Sequence, residues 1–156
     1  MDIPSLATLK KDLGYLSEQE IKDLLIELIK FSRDNKAYLF FKLYERDQPG
    51  LFVEMVKEDL LVEFEKARVE HGYYAKKSAQ SIRRKMNKLL KLSKSKSDQA
   101  EVILFFCEKI KEMGFLKHRN SVIKNLYEIQ KGKVEKLVSG LHEDLQYDFQ
   151  FRLEKL

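Results

Sequence analysis

Cysteine occurs once in 156 residues, at Cys107. That excludes a disulfide framework and any cysteine-rich zinc module. Threonine also occurs once, tryptophan never, glycine six times and proline twice, against 23 leucines. A β-sandwich or barrel draws on β-branched and turn residues, so this composition argues against one and for helices. Uncharged runs such as Val102 to Cys107 fall far short of the ~20 apolar residues a membrane-spanning helix needs. Met1 to Lys11 lacks the apolar core of a secretory signal, and no lipidation motif is visible. The expectation is a soluble, cytoplasmic protein with no membrane partner.

Catalytic signatures are scarce too. There is no phosphate-cradling glycine loop of either common type and no serine nucleophile elbow. His71, His118 and His142 are far apart in sequence. The run His142-Glu143-Asp144-Leu145-Gln146 misses the zinc-protease pattern, because Gln146 stands where the second histidine ligand would be. The carboxylate pairs Glu54/Glu58 and Asp59/Glu63 share helix faces, as paired acids would need to, but Lys57 and Lys66 nearby favour a solvated surface. Cys107 follows Phe105 and Phe106 and reads as a buried structural thiol. The sequence therefore predicts no catalytic residue, cofactor or metal, and a protein that acts by binding rather than as an enzyme.

What the chain does have is helical periodicity. With 44% apolar and 35% charged residues it suits a folded chain of one ordinary domain, residues 1–156. Ser5 and Gly14 bracket a short helix, and Ser17 with Glu20 forms a capping box for a second through Ile21, Leu24, Leu25, Leu28 and Ile29. Further helices are predicted over 36–46, 51–70 (closed by Gly72), 75–92, from Asp98 to Gly114, 119–130, 133–139 and 141–155. The fold class is all-α: six to eight helices in antiparallel hairpins, as an irregular bundle or a short α-α superhelix.

Two features rise above this background. The segment 36–46 carries Tyr38, Leu39, Phe40, Phe41, Leu43 and Tyr44 on nearly every side. Helices of that kind are usually central core helices. The sharper reading leaves Tyr38, Phe41 and Tyr44 as an apolar interface. Second, Gly72 to Ser97 holds nine cations and no acid, while the whole chain nets only +5. On a helix Lys77, Arg84, Lys88 and Lys91 fall together opposite Ile82, Met86 and Leu89. Three fates suit this stripe. It is solvated or answered by the acidic helix 51–70; it docks an acidic protein or a second copy of the chain in a homodimer; or it binds nucleic acid through phosphates without reading sequence.

The runs Leu9-Lys10-Lys11, Leu16-Ser17, Glu20 and Leu24-Leu25-Ile26, with Leu141-His142-Glu143-Asp144-Leu145, resemble a family of small all-helical bacterial proteins that carries no established activity. The resemblance covers the first third and the final segment. It implies the all-helical fold and assigns no residue a role. The sequence reading ends on a protein-interaction module, with nucleic-acid binding through 75–92 as the alternative.

Overall fold

Helix starts in this chain are set largely by short polar side chains that take up the free amides of the first turn. Ser5 accepts from the Thr8 amide, and Asn120 from the amides of Val122 and Ile123. Ser17 and Glu20 form the expected reciprocal capping box, with the Ser17 amide donating to Glu20 at 2.7 Å. Ser95, rather than Asp98, caps the helix after the basic segment by accepting from the Asp98 amide. The computed structural model describes residues 1–156. It contains α1 (Leu6–Leu13), α2 (Glu18–Phe31), α3 (Arg33–Tyr44), α4 (Leu51–Glu65), α5 (Gly72–Leu89), α6 (Lys96–Glu112), α7 (Ser121–Val138) and α8 (Glu143–Leu153). Short 3-10 turns follow α5 and α6, and there is no strand, so the fold is all-α.

The chain divides into two compact units, Met1–Leu43 and Tyr44–Leu156. In the first unit neither α1 nor α2 buries a residue. Leu24 is 39% exposed, Leu25 42% and Leu28 47%, although they lie on one face as predicted. The expectation that 36–46 is a central core helix is corrected. The helix starts at Arg33, and Phe41 is its only buried residue.

In the second unit the central element is α6. Ala100, Val102, Ile103, Leu104, Phe106, Cys107 and Ile110 are all buried on it. It packs against α4, α5 and α7. Phe106 meets Phe64 of α4, which in turn lies edge-on to Phe115 in the turn after α6. Ala75, Ala79, Ile82 and Met86 give α5 its inner face, and Ile123, Leu126, Tyr127, Val134 and Val138 do the same for α7. Gln130 is sealed among these apolar groups, and neither of its amide atoms has a hydrogen-bond partner within the protein.

Two glycine expectations change. Gly72 does not close α4, which ends at Glu65; it is the first residue of α5, preceded by His71 in extended conformation, whose side chain makes no capping hydrogen bond. Gly132 does not break the seventh helix, which runs unbroken across the predicted gap between 130 and 133. Its flexibility costs roughly 1 kcal/mol against alanine, less than burying Val134 and Val138 returns at ~1.5–3 kcal/mol each. Gly50 does need its freedom: it starts α4 with φ +89°. Having no side chain to cap with, it leaves that task to Glu45, which accepts from the amides of Gly50 (2.9 Å) and Phe52 (2.7 Å).

Candidate interaction surfaces

The predicted basic stripe lies on α5 and the turn after it. Lys77, Arg84, Lys88 and Lys91 are all exposed, and Ala79, Ile82 and Met86 are buried on the opposite side of α5. Its flank is partly answered by the acidic helix, as one of the three readings expects. Lys85 reaches from α5 to α4, donating to the Asp59 carbonyl at 3.1 Å and pairing with Glu63 at 3.3 Å. That pairing takes up Lys85 between α5 and α4.

The N-terminal end of the stripe carries two exposed aromatics. Tyr73 and Tyr74 pack edge to face with ring centroids 5.4 Å apart, and are 56% and 43% exposed. The Lys77 ammonium lies 4.5 Å from the Tyr73 ring centroid and the Lys76 ammonium 5.6 Å away. Arg68 stands 5.7 Å from the Tyr74 ring. Lys77 beside the Tyr73 hydroxyl holds it below its ordinary pKa. The loop that leads into these tyrosines is pinned by His118, whose ring meets the Val69 carbonyl and whose Cβ packs near Gly72. Both tyrosines precede residue 75, where the sequence places the start of the basic helix. A helical wheel carried back from Lys91 would have placed Tyr73 within about 60° of Lys77, Arg84, Lys88 and Lys91.

The expected aromatic interface is divided. Tyr38 and Tyr44 are exposed, with the Lys42 ammonium 5.6 Å from the Tyr38 ring. Phe41 turns inward and is buried, so it is not on an open face. The larger apolar surface lies on helices that were read only as ordinary amphipathic elements. Leu9, Leu13 and Leu16 in and after α1, and Ile21, Leu24, Leu25, Ile26 and Leu28 of α2, are all exposed. Periodicity shows that such a face exists; it carries no sign of whether the same chain covers it.

Elsewhere the polar groups answer one another. Arg152 of α8 forks between two acids of α6, at 2.7 Å from Glu101 and 2.8 Å from Glu108, and Lys57 of α4 also pairs with Glu101. Burial pushes the Glu101 carboxyl up, but the hydrogen bonds and charges of Lys57 and Arg152 outweigh it and hold the pKa below its ordinary value. Lys57, Glu101 and Arg152 line a cavity of about 460 Å³ with Glu54, Asp98 and Asp148. Burial pushes the Cys107 thiol up to about 12, the state of an inert core sulfur. His71 and His142 are exposed at helix starts, and no group of three or more histidine, cysteine, aspartate or glutamate side chains is arranged to hold a metal ion. No helix is long and apolar enough to cross a membrane. No protein-family model, curated protein or solved structure matches the chain.

Proposed function

We propose that the protein is a helical interaction module whose N-terminal helices dock a second copy of the chain. The observation that carries this reading is that no residue of α1 or α2 is fully buried, and that their leucines and isoleucines keep about two-fifths of their surface exposed. Seven leucine and isoleucine side chains at about two-fifths exposure leave roughly 500 Å² of apolar surface on these two helices, within the range of the largest patches monomers keep. A standard interface takes about 800 Å² from each partner, somewhat more than half of it apolar. The exposed apolar surface summed over α1 and α2 is therefore of the size that one side of a stable dimer contributes, although Ile26 stands off the face shared by Ile21, Leu24, Leu25 and Leu28.

Charge supports the choice of occupant. Met1 to Leu43 carries seven acids and seven bases, so the +5 of the chain falls entirely on the second unit. A neutral helical arm meets its own copy without net repulsion, and it offers no field to steer a strongly charged partner. Symmetric pairing of one patch with itself is the commonest route to a soluble oligomer.

Sedimentation of the full chain at two concentrations a hundredfold apart tests the reading. The expected result is a dimer at the higher concentration, and a monomer at both when Leu24→Glu and Leu28→Glu are combined. A wild-type chain that stays monomeric up to about 100 μM, some hundredfold weaker than a 1 μM association, would remove it.

A further inference from the structure

We infer that the outward face of α5, from Tyr73 to Lys91, is a binding site for single-stranded nucleic acid, with Tyr73 as a stacking platform and Lys77, Arg84 and Lys91 as phosphate contacts. This inference is independent of the dimer reading, since it uses a different unit of the chain. Proteins that hold single strands without reading sequence combine a run of cations along the backbone with an exposed aromatic on which a base can stack. Both parts are present here on one helix face. Tyr73 is more than half exposed, and its neighbours Lys76 and Lys77 sit at its ring, from where the flexible stem of Lys77 reaches a phosphate beside a stacked base. Arg84 and Lys91 continue the line, both exposed.

From Tyr73 to Lys91 the helix and the turn after it extend about 27 Å at 1.5 Å per residue. That suits a strand of four or more nucleotides. Gly72 to Ser97 contains no acid to repel phosphate, and Lys85 reaches Glu63 at 3.3 Å and Asp59 at 3.9 Å on the flank, offsetting part of the acidic charge beside the outer face. The outward residues between the cations are short and polar, Gln80 and Ser81, which lets a flexible backbone lie close. An acidic protein helix would also be drawn to the charge, but it would not need an aromatic on the stripe. The tyrosine therefore favours bases over carboxylates.

Fluorescence anisotropy with labelled decamers of deoxythymidine and of uridine, at two salt concentrations, tests the site. Three phosphate contacts to a single strand imply a log–log salt slope near −2. Tyr73→Ala should weaken binding roughly tenfold or more and leave the slope unchanged, while Tyr73→Phe keeps the affinity. Combining Lys77→Gln, Arg84→Gln and Lys91→Gln should flatten the slope. All of these side chains are exposed, and an unchanged circular dichroism spectrum confirms that each variant is folded. The tighter of the two decamers identifies RNA or DNA as the ligand. Three results would overturn the inference: no binding of either decamer, an affinity indifferent to Tyr73→Ala, or displacement by polyglutamate at concentrations equal to the unlabelled decamer.

Discussion

In α2, Ile21, Leu24, Leu25 and Leu28 repeat at clean helical spacing, and each keeps about two-fifths of its surface exposed. In α6 the apolar residues follow a broader and less regular pattern, and seven of them are sealed. The more regular stripe is thus the less buried one. A narrow stripe can be covered by one neighbour, whereas α6 is apolar around most of its circumference and meets α4, α5 and α7. Periodicity measures how many sides of a helix seek cover; it does not say which chain supplies the cover.

This contrast can be broken most forcefully in the core. Phe106→Ala removes a ring buried against Phe64 and should cost about 3–5 kcal/mol in urea unfolding. Leu24→Ala, measured where the chain is monomeric, should cost only about 1 kcal/mol, since two-fifths of the side chain is already in solvent. Equal losses at the two positions would mean that α2 is as buried in solution as α6.

A smaller effect comes from the Arg152 clamp between α8 and α6. Arg152→Met leaves Glu101 and Glu108 half-buried without their fork and should cost about 1–3 kcal/mol, discounted because all three groups keep some solvent contact. The same change alters the response to acid. Because Glu101 titrates below its ordinary value of 4.5 when folded, its contribution is fully present at neutral pH. That contribution is lost as pH falls below about 4.5 through the folded value. Urea midpoints between pH 7 and pH 3 should therefore fall less steeply in the Arg152→Met variant than in the parent.

The smallest changes concern glycines. Gly132 lies inside α7 with open space around it, so Gly132→Ala should stabilise by about 0.5–1 kcal/mol. Gly50→Ala, at φ +89°, should destabilise by about 1 kcal/mol or more. Thermal unfolding of the two variants side by side separates a glycine that sequence reading took for a breaker from one that backbone geometry requires.

The helix inventory was legible because its signals are local. Ser17 with Glu20 announces a helix start, and the alternation of α5 between Ile82 or Met86 and Arg84 or Lys88 fixes which face looks out. Other features depend on tertiary packing. Gly132 sits in a continuous helix because Val134 and Val138 reach the core beyond it. The Glu45 cap on α4 spans a loop, and the Arg152 fork spans 44 to 51 residues, so neither leaves a short-range trace. In α3 the all-round apolar pattern was read as a core helix, yet it buries Phe41 alone. The cations of α5 follow from its periodicity, whereas the exposure of the apolar side chains of α1 and α2 depends on what covers them, which local spacing does not encode.

The central claim is that α1 and α2 are covered by another copy of the chain. Hydrogen exchange at low and high protein concentration tests it most directly. The account predicts that amides of α1 and α2 exchange quickly in dilute solution and slow markedly as concentration rises, while those of α6 are protected equally at both. Protection of α1 and α2 that matches α6 in the most dilute sample, or that never changes with concentration, would contradict it.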